Sequence, residues 1–310
     1  MKIAVMIMAT DFEPSLRNVA AFKNTVIRNY NDNRKMFANE FDFFVYWCDG
    51  SDGDGLKETY PDGGATNVVF HGKESIYRTY EKTYEMFKYI KGLGGYDLYV
   101  RINISMWLDL PLLDCVAGQF NPENIYCNAV NSYVNAGSEY VNDLYPRGDL
   151  YIFGNPTMDG IIEHGEKYID CDRDDKYRIG VNHVDDCLIG VCIIDTYGKY
   201  YFKHLVMIRY NFLPRNTVEN DLLEKFCIGS RVKGVPKGQA SGYSWDDNDF
   251  RKFEPEKMET LQKMSRGRFY KNVKLSMLTD PPELQRPTLF IQATNHSVEG
   301  LFWKWLERKR

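Results

Sequence analysis

The sequence predicts an α/β protein built on a mixed, mostly parallel sheet flanked by helices, with a C-terminal helical and irregular extension. Three observations predict it. Short apolar runs of strand length alternate with stretches of helical rhythm through the first half of the chain. Residues 96–110, YDLYVRINISMWLDL, alternate from Leu98 to Leu110 with the period of two that belongs to a strand. At 310 residues, with 44% hydrophobic and 26% charged side chains, the chain can bury a large core.

Residues 3–8 (IAVMIM) are apolar throughout, as a strand covered on both faces must be. Residues 14–39 carry a helical rhythm in Leu16, Val19, Ala20, Phe22, Val26 and Ile27, and 41–47 (FDFFVYW) form a second strand. A Gly/Asp-rich loop, CDGSDGDG, follows. Residues 67–70 make a short strand and 75–90 a helix, with Ile76, Tyr80, Thr83, Tyr84 and Phe87 inward. Residues 96–110 are the next strand, which projects Arg101, Asn103 and Ser105 from one face. Order of this kind gives a largely parallel sheet. Further on, 124–130 and 149–154 read as strands, 157–168 as a helix, 184–194 as a segment that starts acidic and turns apolar, and 200–210 as a last strand. The composition then shifts to Gly, Ser, Lys and Asp. This sets a first unit at 1–228, a loop or linker at 229–252 and a basic, aromatic extension at 253–310.

Aromatics at 15%, with 22 Tyr and 5 Trp, suit a surface that stacks on sugar faces, or reflect a Tyr-heavy composition; both readings have equal weight. The net charge of −4 and a pI near 5.8 argue against a broad nucleic-acid-binding face. No 18-residue apolar run occurs, and Asp11 and Glu13 follow the first apolar segment at once, so that segment reads as a strand rather than a leader. A cytoplasmic location is expected, with a peripheral place at the inner face of a membrane as the second option. Seven cysteines without a Cys-x-x-Cys pair indicate reduced, mostly buried thiols.

Several chemistries are excluded. The turn after the first strand, ATDFEP, contains no glycine, so a dinucleotide fingerprint is missing; a Walker loop and a Gly-x-Ser-x-Gly elbow are missing too. The loop at 49–55 has acids and glycines, but in no register that fits a calcium loop. The histidines offer no i, i+4 metal pair, and His183, beside two acids, reads first as a structural hydrogen-bonder.

In an open α/β sheet, ligands sit beyond the carboxyl ends of the strands. The residues placed there are Thr10 and Asp11, then Asp49, then Asn103 and Ser105. Arg78 and Lys82, four apart on one helical face, would suit a diphosphate, although taken alone they read better as solvated side chains pairing with Glu74, Glu81 or Glu85. Asp185 and Asp186, in VNHVDDCLIG, fit either a helix cap with a first-turn acid or a general base.

The succession ESIYRTYEKTYEMFK, YDLYVRINISMWLDL, GDLYIFGNPTMDG and VNHVDDCLIG resembles bacterial nucleotide-sugar glycosyltransferases of the GT-A type, a Rossmann-type fold. Capsule and surface-polysaccharide enzymes are the nearest likeness, the fringe and galactosyltransferase group a distant one. The resemblance covers roughly residues 1–215. It implies a nucleotide-diphosphate sugar on the half formed by 1–115 and a saccharide acceptor, lipid-linked in one version, on 116–228. Carried over, Thr10 and Asp11 border the nucleotide and Asp49 the same edge. Arg78 and Lys82 meet the diphosphate, and Arg101, Asn103 and Ser105 the sugar phosphate. Gly154, Asn155 and His183 line the acceptor side, and Asp186 or Asp185 is the base. Many such enzymes end the fourth strand in Asp-x-Asp, which holds Mn²⁺ or Mg²⁺; here those places read Asn103-Ile104-Ser105. No cofactor is firmly implied, with Mn²⁺ or Mg²⁺ held elsewhere as the alternative. A non-catalytic carbohydrate-binding or scaffold protein on the same fold is the competing reading. A nucleotidyltransferase is disfavoured because its Gly-rich loop is missing. The aromatic-basic end at 301–310 suits either an anionic membrane surface or packing of its tryptophans on the main unit.

Overall fold

The computed structural model describes residues 1–74, 78–130, 145–169, 184–198, 203–208, 211–212, 227–232, 254–265 and 268–279. β1 (Lys2–Met8) leads into α1 (Glu13–Phe22), which continues through a π-helical turn (Lys23–Ile27) into α2 (Arg28–Asp32). β2 (Glu40–Cys48), β3 (Leu56–Asp62) and β4 (Ala65–Phe70) precede α3 (Thr79–Leu93). Then come β5 (Leu98–Asn103), β6 (Met106–Leu108), α4 (Leu110–Val116), β7 (Ile125–Val130), β8 (Tyr145–Gly154) and α5 (Asn155–Gly165). α6 (Val184–Tyr197), β9 (Leu205–Met207), β10 (Asn211–Phe212), β11 (Gly229–Arg231) and α7 (Glu254–Ser265) complete the described elements.

The main sheet has the order β3-β4-β2-β1-β5-β8-β7-β9. Parallel pairing joins β4, β2, β1 and β5, and again β7 and β9, whereas β3 and β8 run against their neighbours. The expected mixed, mostly parallel sheet flanked by helices is therefore present. Alternate side chains of β1 divide between two cores. Ile3, Val5 and Ile7 pack with Val19 and Phe22 of α1, Leu112 and Leu113 of α4, and Met258 and Leu261 of α7. Ala4 and Met6 join Tyr84 and Phe87 of α3, Met158 and Ile161 of α5, and Ile189 and Val191 of α6 on the other face. Burial on both sides is why the β1 sequence is unbrokenly apolar.

Three features depart from the sequence expectation. The alternating stretch is not one strand: β5 stops at Asn103, a tight turn intervenes, and β6 pairs with β11 in a small second sheet. The alternation survives the break because Ile104, Met106, Leu108 and Leu110 bury in the same core as Val100 and Ile102. Residues 229–231, expected in a linker, form β11, and α7 of the extension packs on α1. Finally, the segment LKETYPD, to which the sequence pattern assigns no element, is β3, an edge strand exposed along its whole length.

Candidate functional site

After β1 the chain pairs β2 and then β4 on one side, and returns to place β5 on the other side of β1. The loops leaving β1 and β5 therefore part at a topological switch point, where open α/β sheets bind ligands. Met8 pairs with Asn103, and the Ile104 N–H donates to the Met8 carbonyl at 3.0 Å, so the two loops start side by side. Thr10 and Asp11 stand on the first loop, with Asp11 exposed; the Thr10 N–H donates to Ser15 Oγ at 2.9 Å. Asn103 is half-buried on the second loop, where its Oδ1 accepts the Ser105 N–H at 3.0 Å and closes the turn. These three residues are the ones that the fold brings together as the sequence suggested.

Most of the other predicted residues whose side chains are described have partners within the protein. Lys82 is buried, its Nζ 2.8 Å from a Glu74 oxygen and 3.0 Å from the Ala9 carbonyl. Burial works against its charge, yet the Glu74 carboxylate outweighs that and holds the ammonium above its ordinary pKa. Glu74 also accepts the Cys48 N–H at 2.7 Å, so this pair ties the ends of β1 and β2 together beneath the loops. Arg78, capping α3, forms a two-pronged pair with Glu81 and reaches Asp54 at 2.8 Å. Both cations thus take the carboxylate partners that the alternative sequence reading gave them. A small recess between β4 and α3 is lined by His71, Arg78, Glu81 and Lys82. Asp49 shapes its own loop: Oδ1 accepts from Ser51 N and Oγ, and Oδ2 pairs with Lys57 at 2.8 Å. The Lys57 and Ser51 donors hold the Asp49 carboxyl far below the usual range.

Arg101 is not on a crevice face. It is wholly buried, stacked over the Tyr151 ring at 5.2 Å, with Nη1 donating to the Gly148 carbonyl and Nη2 placed 3.1 Å from Met8 Sδ. Asp186, in the first turn of α6, is 6% exposed and accepts the Gly148 N–H at 2.8 Å. The guanidinium and the carboxylate therefore grip the two backbone polar groups of one glycine. A base must reach an acceptor hydroxyl; in this structure Asp186 directs Oδ2 at the Gly148 N–H. Asp185 lies in the same first turn; His183, the literal Asp170-Cys171-Asp172 and residues 301–310 lie outside the described residues. Ser105 is turned from the loop edge into the core, where its Oγ donates to Glu254.

Gly154 and Asn155 fall at the other end of the sheet. β8 is antiparallel to β5, so Gly154 pairs with Leu98, the first residue of β5, and not with Asn103. There Asn155 accepts from Tyr99 Oη and Lys91 Nζ and donates to the Tyr96 carbonyl, fixing the start of α5. The sequence shows the apolar run of β8 but not its direction, and its direction decides which edge a residue occupies.

The donor set at Asn103-Ile104-Ser105 does not suit Mn²⁺ or Mg²⁺. Asn103 Oδ1 is engaged by its own turn, Ser105 Oγ by Glu254, and neither is a carboxylate. Among the described residues no three His, Cys, Asp or Glu side chains converge as metal ligands. Cys48, Cys127 and Cys192 are buried, and burial pushes the Cys48 and Cys192 thiols up to about 12. Such thiols stay protonated and unreactive at neutral pH.

Fold and site together define an open, mixed-sheet α/β protein whose candidate binding edge is the β1/β5 switch point. The chain is similar to the galactosyltransferase LgtC solved with donor and acceptor sugar analogues, at 14% identity and a TM-score of 0.42 over 91% of this chain and 98% of that one. It is similar to an active-site mutant of LgtC at 13% identity and a TM-score of 0.42, over 84% and 95% of the two chains. A third likeness is a glycosyltransferase involved in glycosylating the major capsid of PBCV-1, at 7% identity and a TM-score of 0.41, over 83% and 99%. No protein-family model matches the chain, and no curated protein matches it. Among the described residues no helix is long and apolar enough to cross a membrane.

Proposed function

We propose that the chain is a glycosyltransferase that moves a hexose-type unit from a nucleotide-diphosphate sugar to a saccharide acceptor in surface or capsular polysaccharide assembly. The observation that carries this reading is the switch point: Thr10, Asp11 and Asn103 stand together on two loops that diverge at the carboxyl edge of β1 and β5. The exposed Asp11 carboxylate accepts hydrogen bonds and suits sugar or ribose hydroxyls, and the Asn103 amide on the second loop adds donors. In the reaction the acceptor oxygen bonds to the anomeric carbon as the bond to the diphosphate breaks. The acceptor proton goes to a base and the nucleoside diphosphate leaves. With Asp186 or Asp185 as that base, a single in-line displacement of this kind inverts the anomeric centre.

Thermal unfolding against UDP, GDP, CMP and their sugars, with EDTA or with Mn²⁺, tests the proposal. One nucleotide class is expected to stabilise the protein, by about 2.7 kcal/mol at a hundredfold excess over Kd. No stabilisation by any member of the panel would sink the reading in favour of a carbohydrate-binding scaffold.

A further inference from the structure

α7 carries a carboxylate into the core. Glu254, wholly buried, accepts a hydrogen bond from Ser105 Oγ at 3.2 Å and another from Asn18 Nδ2, both on Oε2. Ser105 belongs to the turn after β5. Asn18 follows Ser15 by one turn on the buried face of α1, and Ser15 Oγ accepts the Thr10 N–H of the loop after β1. Three residues beyond Glu254, Lys257 Nζ donates to the Val232 carbonyl at 3.2 Å, and the Val232 N–H donates to the Ser105 carbonyl at 2.9 Å. One helix thus holds the β5 turn by its side chain and by its backbone, and reaches the β1 loop through α1.

Energetics sharpen the point. Burying a carboxylate costs several kcal/mol in desolvation even when it is hydrogen-bonded. Leucine would fill the same place in the α7 stripe of Met258 and Leu261 without that cost. What the carboxylate supplies is an acceptor that fixes two donors from two different elements. We infer that Glu254 is a positioning residue for the switch-point site, setting the turn at Asn103 against the loop at Thr10 and so the shape of the donor subsite. The inference rests on the donor-site reading given above.

Amide hydrogen exchange at residues 9–12 and 103–105 in the full chain, together with donor KM and kcat, tests it. Both donors meet one oxygen, so Glu254→Gln, whose amide oxygen can accept both, is expected to keep exchange and KM within about twofold of the wild type. Glu254→Ala is expected to speed exchange in both segments by about tenfold or more and to raise donor KM more than it lowers kcat. Should Glu254→Ala not fold, Ser105→Ala cuts a single link and is expected to speed exchange at 103–105 while leaving 9–12 protected. Unchanged exchange at 103–105 in Ser105→Ala, or a Gln variant as perturbed as a folded Ala variant, overturns the inference. If the wild type takes no nucleotide sugar, the functional reading falls, while the exchange data still decide whether Glu254 sets the two turns.

Discussion

Asp109 offers a prediction whose sign and size both follow from its surroundings. The residue is buried, caps α4 by accepting the Leu112 N–H at 3.1 Å, and accepts the Tyr270 hydroxyl at 2.7 Å. Burial pushes its carboxyl up from 3.8 to about 6, against the pull of Tyr270, the Leu112 N–H and Arg268. The folded protein therefore keeps a proton that the unfolded chain has released. Stability from this group is complete below pH 3.8, falls as the pH rises toward about 6, and above that the folded state bears the whole cost of the buried charge. A displacement of this size corresponds to something on the order of 2–3 kcal/mol. Asp109→Asn removes the charge and keeps the cap, since Asn serves as well at a helix N-terminus; its amide can donate to the Tyr270 hydroxyl in place of the lost acceptor. Urea unfolding at pH 8 should show the variant more stable by about 1–3 kcal/mol, less whatever the reversed Tyr270 bond costs. At pH 4 the advantage should vanish. A variant less stable than the wild type at both pH values would refute the reasoning, because the charged form would then be the one the fold favours.

Other consequences are as direct. Lys82→Met strands Glu74 and the Ala9 carbonyl beneath the loops, and should cost about 3–5 kcal/mol in denaturant unfolding; adding Glu74→Gln should recover part of that, and two additive losses would deny the coupling. Gly148→Ala sets a Cβ against the Asp186 carboxylate and the Arg101 guanidinium, and should destabilise by about 1–3 kcal/mol on overpacking grounds. Asp186→Asn should lower the unfolding midpoint through its bond to Gly148; lost turnover at unchanged stability would instead restore this residue as the base.

Periodicity made the centre of the sheet legible. Runs at 3–8, 41–47 and 67–70 correspond to β1, β2 and β4, because strands covered on both faces are written mainly in apolar residues. The loops at the switch point followed from the order of the elements alone. Polar residues inside the core were the illegible part. A pattern argument sends Arg101 and Ser105 toward solvent or ligand, whereas a partner far along the chain claims each of them, Gly148 and Glu254; Lys82 is claimed by Glu74, eight residues before it. One signal was available for Glu254, since the buried residues Glu254, Lys257, Met258, Leu261 and Ser265 form a stripe at helical spacing with the acid inside it. The short, charged β3 carried no such pattern, because neither of its faces is covered.

That strand also governs how the molecule meets copies of itself. An eight-stranded sheet that ended in an apolar strand would invite a second chain to continue the ladder. Here the last strand shows Lys57, Glu58, Pro61 and Asp62 to solvent, and Pro61 has no N–H to offer a newcomer. Growth of the sheet by strand addition at the β3 side is therefore disfavoured by the charges and the proline of that strand.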